Sequence, residues 1–152
     1  MRLRSFLRPA AVVADLTSSD KSGVLRELAH ALAAVDPLID EQRVFQALEE
    51  REMLGSTGLG HGVAIPHAKV NELAKIHAAF GRSARGVEFQ SLDSEPVHLF
   101  FMLIAPHREV GHHLMALERI SKLLHDQDTR QDLLTAEGSA LYEAVCRMDE
   151  KG

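Results

Sequence analysis

The stretch Val97-His98-Leu99-Phe100-Phe101-Met102-Leu103-Ile104-Ala105 decides the fold. Apolar side chains occupy both sets of alternating positions, so a strand formed here presents an apolar surface on each face. A strand of that kind lies in the middle of a sheet that helices cover on both sides. Pro106 ends the strand. We therefore expect an α/β fold, layered in the α+β manner, with helices on both faces of one sheet.

Two amphipathic helices precede this strand. Asp20 offers a capping carboxylate, and apolar residues follow at helical spacing as far as Val35, after which Asp36-Pro37 ends the helix. Asp40 can cap a second helix that ends near Met53.

The remaining elements are short apolar runs between breakers. The predicted strands span 12–16, 63–65, 76–80 and 87–89, and the predicted later helices span 114–124, 129–136 and 139–148. A Gly/Arg/Ser turn should separate the strands at 76–80 and 87–89. The segment 55–62 has four glycines in eight positions and is expected to be irregular. Since there is no repeat and no linker, residues 1–152 predict a single domain.

Composition excludes several classes of protein. The 152 residues suffice for one domain with a core, and 45% hydrophobic with 26% charged residues is typical of a folded soluble chain. The net charge of -5, without a Lys/Arg run, argues against a nucleic-acid partner. Asp15 breaks the N-terminal apolar run, so neither a signal peptide nor membrane insertion is expected. A single cysteine, Cys146, excludes an internal disulfide. We expect a cytoplasmic protein.

The glycine-rich segment does not fit the nucleotide-binding motifs. The dinucleotide fingerprint needs a strand before the glycines and a helix after them, whereas here a helix precedes and a strand closed by Pro66 follows. The P-loop ends in Gly-Lys-Ser/Thr, and no lysine occurs between Gly55 and His67.

The same segment is suited to an anion. The backbone amides of Gly58, Gly60 and Gly62 could converge on a phosphate, together with the hydroxyls of Ser56 and Thr57. These five residues are our candidate phosphate-binding groups.

His67 follows this segment on a stiff backbone. Pro66 fixes its own φ near about -65° and restricts Ile65. An imidazole with an ordinary pKa of about 6.5 is mostly neutral in the cytosol, so it has a lone pair that can attack phosphorus. Phosphoryl transfer requires mainly in-line positioning and charge stabilisation. The pattern favours His67 as a nucleophile; the alternative is a turn histidine without a role.

The stretch Arg51-Glu52-Met53-Leu54-Gly55-Ser56-Thr57-Gly58-Leu59-Gly60-His61-Gly62-Val63-Ala64-Ile65-Pro66-His67 resembles the signature of the fructose/mannitol-type enzyme IIA of the sugar phosphotransferase system, particularly its nitrogen-regulatory branch. The resemblance extends over nearly the whole chain. It implies a mixed β-sheet flanked by helices and a phosphoryl group carried on Nε2 of His67. It also implies a small histidine phosphocarrier of the HPr type as donor, and no cofactor.

The resemblance implies catalytic roles for two more residues, Arg51 as a ligand of the phosphoryl group and His113 as the histidine beside the acceptor. The helical spacing independently places His113 on the apolar stripe of Leu117, Ile120 and Leu124, in the first turn of its helix. The alternatives are a solvated arginine at a helix end and a core histidine.

The other histidines support a weaker alternative, a metal-dependent hydrolase. Its candidate ligands are His61, His67, His107, His112 and His113. The chain lacks HExxH spacing, and none of these histidines pairs with a carboxylate in a known ligand motif, so no metal site is predicted. His61 and His107 could touch the phosphate or a partner, and Lys69 is expected to be a solvated loop lysine.

The resemblance leaves two purposes open for a phosphoryl carrier. The close match to the nitrogen-type loop favours a phosphorylation-dependent regulator of nitrogen or potassium metabolism, for which the family implies targets such as a potassium transporter or a sensor kinase. The alternative is sugar transport, in which phosphate passes to a IIB protein on a separate chain.

Overall fold

A computed structural model describes residues 1–151 of the chain. Six strands and five α-helices are joined by short 3₁₀ turns in this part of the protein. In chain order they are β1 (Leu7–Val13), α1 (Lys21–Ala33), α2 (Glu41–Met53), β2 (Gly58–Gly60), β3 (Val63–Ala64), β4 (His67–Lys69), β5 (His77–Val87), β6 (Val97–Ala105), α3 (Val110–His125), α4 (Gln127–Thr135) and α5 (Leu141–Lys151).

The strands form one mixed sheet in the order β1-β5-β6-β3-β2, and β4 also pairs with β6. Strand β6 lies in the middle, antiparallel to β5 and parallel to β3 and β4, and every residue in it except His98 is buried. The bounds predicted for this strand, 97–105, are confirmed. Its two apolar faces meet partners on both sides, since Phe101 packs edge-on against Phe80 and Phe100 against Phe89.

Helices cover both faces of the sheet, as predicted. On one face, α1 packs so closely on β5 that a Cβ at Gly81 would lie 2.8 Å from the side chain of Leu16 and 2.9 Å from that of Leu28. Arg82, the next residue, points to the other face and donates to the carbonyls of Leu133 and Ala136 at the end of α4. The predicted N-caps are also confirmed, because the carboxylates of Asp20 and Asp40 accept backbone N–H groups in the first turns of α1 and α2.

Three predictions about the strands are wrong. A single strand, β5, replaces the two predicted at 76–80 and 87–89, because the glycine at position 81 serves close helix packing and not a turn. The segment 55–62 contains a short strand, β2, which forms a hairpin with β3. The first strand spans Leu7–Val13 and not 12–16.

The central strand β6 also positions the segment that leads to His67. Strands β3 and β4 pair with it in one register, with Val63 opposite Leu99 and His67 opposite Leu103. Pro66, which has no N–H to donate, lies between them, and its carbonyl accepts the N–H of Leu103 at 2.9 Å. His67 therefore begins a strand that is attached to the most buried element of the fold.

No helix within residues 1–151 is both long enough and apolar enough to cross a lipid bilayer.

Candidate active site

His67 is half-buried, and its ring is oriented by its own backbone. Its Nδ1 lies 2.8 Å from the carbonyl oxygen of Ile65. Since a carbonyl can only accept a hydrogen bond, Nδ1 carries the proton and donates it. In the neutral ring the lone pair is then on Nε2. The free nitrogen is therefore the one a phosphoryl group would have to reach.

His67 opens into a cleft of about 480 Å³ between α2, β4 and the start of α3. Arg51 and His113, the other two predicted catalytic residues, line the same cleft. The structure thus brings together three residues that lie up to 62 positions apart in the sequence. The remaining lining residues are Arg43, Ala47, Glu50, Leu54, Ala68, Lys69, Val110, Leu114 and Leu117.

His113 lies in the first turn of α3 and faces His67. The two ring centroids are 5.8 Å apart and the ring planes cross at 78°. Only 4% of His113 is exposed, and among the described residues its Nε2 has no hydrogen-bond partner. A buried polar atom without a partner is costly, which marks this nitrogen as one that folding leaves unsatisfied. Burial, with the nearby charges of His67 and Lys69, lowers the pKa of His113 to about 4.

Arg51 lies in the last turn of α2. Its Nη1 donates to the carbonyl of Gly55 at 3.0 Å, which ties the guanidinium to the loop that follows the helix. A guanidinium has five N–H donors in a fixed fork, so others remain for an anion. Lys69 and Arg43 also line the cleft and add positive charge to it. Lys69 ends β4, and its prediction as a loop residue is wrong.

The electrostatics of the cleft favour a neutral His67. Burial lowers the pKa of its imidazole below the ordinary value of 6.5, and the positive charges of Arg51 and Lys69 lower it further. The hydrogen bond to Ile65 and the negative charge of Glu52 act in the opposite direction. The balance keeps the ring nucleophilic, while the same positive charges suit a phosphate bound beside it.

The structure does not bring the five candidate phosphate-binding residues into this cleft. The hydroxyl of Ser56 donates to the carbonyl of Phe89 and accepts the N–H of Gly58, and the hydroxyl of Thr57 donates to Glu52. Gly58 and Gly60 belong to the β2–β3 hairpin. A Cβ at Gly58 would lie 2.4 Å from the hydroxyl oxygen of Ser91, so glycine at this position leaves room for the Ser91 side chain to pack.

Gly60, Gly62 and His61 make the turn of this hairpin, with φ values of +98°, +77° and +56°. His61 is exposed at the turn, and His107 is exposed in the 3₁₀ turn before α3. Neither of these histidines is among the residues that line the cleft. Within residues 1–151, no three His, Cys, Asp or Glu side chains are grouped as a metal site would require.

Sequence reasoning missed the buried carboxylate of Glu52. It lies in the quoted motif beside Arg51 but is not among the residues that line the cleft, and its side chain is only 6% exposed. The sequence feature that could have identified it is the spacing of Glu52 and Thr57. An acidic residue at the end of a helix can accept a hydrogen bond from the backbone N–H of the loop that follows.

Comparisons of the sequence and of the fold with known proteins agree on one family. The family described as "Phosphoenolpyruvate-dependent sugar phosphotransferase system, EIIA 2" matches residues 5–145. A nitrogen regulatory protein of Bradyrhizobium diazoefficiens is 40% identical over 146 residues, which are 95% of each chain. The crystal structure of the nitrogen regulatory protein IIA-Ntr from Neisseria meningitidis superposes with a TM-score of 0.85 at 31% identity, over 93% of this chain and 97% of that one.

A longer relative is also similar. The fructose-specific EIIABC component of the PTS system of Bacillus subtilis is 39% identical over 151 residues. The match covers 99% of this chain but only 24% of that protein, so this chain spans about a quarter of its length.

The buried His113 predicts a pH dependence of stability. Its pKa is about 4 in the folded protein and near 6.5 when unfolded, so the unfolded chain binds the proton first as pH falls. The contribution of the neutral His113 side chain to the free energy of unfolding is therefore complete above about pH 6.5. It is lost as the pH falls from about 6.5 to about 4. Between pH 7 and 4.5 the wild type should lose about 2 kcal/mol more free energy of unfolding than His113→Gln, measured by urea titration. His112→Gln, at an exposed neighbour, should keep the wild-type slope, and equal slopes for all three proteins would contradict the assignment.

Proposed function

The chain belongs to the EIIA 2 family of the phosphoenolpyruvate-dependent sugar phosphotransferase system, and on that premise we propose that it carries a phosphoryl group on Nε2 of His67. The observation that carries the proposal is the orientation of this ring. Its Nδ1–H is held by the Ile65 carbonyl, and the opposite nitrogen belongs to a neutral imidazole that lines an open cleft. A free lone pair at a fixed position is what an acceptor of phosphate needs.

The transfer step needs neither a metal ion nor a cofactor, because one N–P bond forms as another breaks. The lone pair of His67 Nε2 attacks the phosphorus of a phosphohistidine on an HPr-type donor protein, and the new N–P bond forms as the donor's P–N bond breaks. The electron pair of the broken bond returns to the donor imidazole. Arg51 and Lys69 stabilise the charge on the three equatorial oxygens, and Nε2 of His113 can donate to one of them.

We further propose that the phosphate serves regulation. This proposal is supported by the similarity to the nitrogen regulatory protein of Bradyrhizobium diazoefficiens, 95% of whose length aligns with this chain. A phosphate adds nearly two negative charges at pH 7 to a cleft whose rim includes the exposed Leu54 and Leu114. Phosphorylation would therefore change the charge of a surface that a regulatory target could bind.

Transfer to a IIB protein is the second candidate function. It is favoured by the fructose-specific relative, which is 39% identical over nearly this whole chain. The chemistry at His67 would be the same, and only the next acceptor would differ.

Replacing the acceptor tests the carrier chemistry. His67→Ala should abolish acid-labile labelling by a phosphorylated HPr-type protein, because no other histidine in the cleft combines an open Nε2 with a fixed Nδ1–H. His61→Ala, at the exposed hairpin turn, is the matched control and should label as the wild type does. Undiminished labelling of His67→Ala would place the acceptor elsewhere.

Removing the neighbours should slow the transfer and keep the acceptor. Arg51→Ala and His113→Ala should each reduce the single-turnover rate by about 10- to 100-fold, the equivalent of one charge-assisted hydrogen bond of about 1.5–3 kcal/mol. Arg85→Ala and His112→Ala remove exposed residues of the same types as controls. Wild-type rates for Arg51→Ala and His113→Ala would refute their roles.

The regulatory purpose is tested by binding. Phosphorylated protein, unphosphorylated protein and His67→Ala are each used to capture potassium transporters and sensor kinases, and a purified IIB protein is assayed as acceptor. Regulation predicts a target that distinguishes the phosphorylated form from the other two. Efficient transfer to the IIB protein without such a target would favour sugar transport.

A further inference from the structure

Glu52 is a buried carboxylate that the transfer chemistry described so far does not use. It follows Arg51 at the end of α2, and its side chain is 6% exposed. Its Oε1 accepts the backbone N–H of Thr57 at 3.1 Å and lies 2.8 Å from Nζ of Lys21, and its Oε2 accepts the Thr57 hydroxyl. Because a buried charge is costly unless it is paired, these partners offset the burial of Glu52 and fix its carboxylate in one position.

The partners of Glu52 lead to His67. Thr57 is 4% exposed, and its carbonyl accepts the N–H of Ile65 at 3.1 Å. The carbonyl of the same Ile65 accepts Nδ1–H of His67 at 2.8 Å. Three hydrogen bonds, connected through the Cα atoms of Thr57 and Ile65, therefore link the carboxylate to the ring whose orientation and tautomer the transfer requires.

The same loop also holds Arg51, whose guanidinium donates to the carbonyl of Gly55. Glu52 accepts two hydrogen bonds from Thr57 in this loop, and Lys21 is itself held with Nζ 4.6 Å from the centroid of the Phe89 ring. The charges of Arg51, Glu52 and Lys69 act on the pKa of His67, and Arg43, Glu50 and His113 line the same cleft.

We propose that Glu52 is a positioning residue for phosphoryl transfer, which acts through Thr57 and Ile65 to fix the ring of His67. The proposal rests on the proposed function, because it assigns Glu52 to the transfer at that histidine. It differs from a role in stability alone, since it requires the ring of His67 to respond when Glu52 is changed.

The test compares Glu52→Ala with its conservative variant in single-turnover transfer from a phosphorylated HPr-type protein. A displacement on the order of 1 Å in an active site costs on the order of a hundredfold, so we expect the transfer rate at saturating donor to fall about tenfold or more in Glu52→Ala, while the donor concentration that gives the half-maximal rate stays within about twofold. Glu52→Gln should recover most of the rate, because its amide can accept the Thr57 N–H and donate to the Thr57 hydroxyl. Glu49→Ala is the matched control on the same helix, since Glu49 bonds Ser22 on α1 and not the loop.

Nitrogen-15 spectra of the His67 ring provide the second readout. Wild type and Glu52→Gln should show a single tautomer with the proton on Nδ1, and Glu52→Ala a mixture of tautomers. If Glu52→Ala does not fold, Thr57→Val removes only the hydroxyl contact and should give a smaller rate loss with the same mixture, while Thr57→Ser stays near wild type.

The outcomes separate the two proposals. If the wild type itself accepts no phosphate, the proposed function fails. If the wild type is labelled and folded Glu52→Ala keeps the wild-type rate and tautomer, or if Thr57→Val cannot be distinguished from Thr57→Ser, the positioning role is overturned. An equal loss of rate in Glu52→Ala and Glu49→Ala would likewise overturn it.

Discussion

The site depends on one hydrogen bond, from Nδ1–H of His67 to the carbonyl of Ile65. This bond determines that Nε2, and not Nδ1, keeps the lone pair of the neutral ring. Its acceptor is a backbone carbonyl, which has less freedom to move than a side chain. Pro66 lies between the two residues and restricts the backbone on either side. Strands β3 and β4 lie on either side of Ile65 and Pro66, and both pair with the buried β6. The central strand therefore restricts the backbone that holds the ring of His67.

The electrostatics serve both states of the proposed cycle with a single arrangement. Before transfer, burial and the positive charges of Arg51 and Lys69 disfavour a protonated His67 and so preserve its lone pair. After transfer, those charges would face a phosphate and stabilise it. The pKa of His113 is lowered to about 4, so this ring is neutral at pH 7 and adds no further positive charge to the cleft.

Sequence reasoning predicted what depends on local pattern. The two-faced apolar run gave the bounds of β6 correctly, and the caps Asp20 and Asp40 marked the starts of α1 and α2. It failed where a glycine is required by tertiary contact. Gly81 was expected in a turn, yet it is a strand residue whose missing side chain makes room for α1, a reason that no local window contains. The family resemblance implied that Arg51 and His113 lie beside His67, and the structure places all three in one cleft; local patterns such as the helical stripe could not show this convergence by themselves.

The glycine-rich segment illustrates the same limit in functional terms. From sequence, its glycines and hydroxyls suggested a surface that binds an anion directly. In the folded protein the hydroxyls of Ser56 and Thr57 are already engaged, and the glycines allow a tight hairpin to pack beside Ser91. The segment is linked to the ring by two hydrogen bonds, because the Thr57 carbonyl accepts the Ile65 N–H and the Ile65 carbonyl accepts Nδ1–H of His67. Under the proposed function, the motif would therefore serve phosphoryl transfer by fixing the acceptor ring, and its hydroxyls need not touch the phosphate.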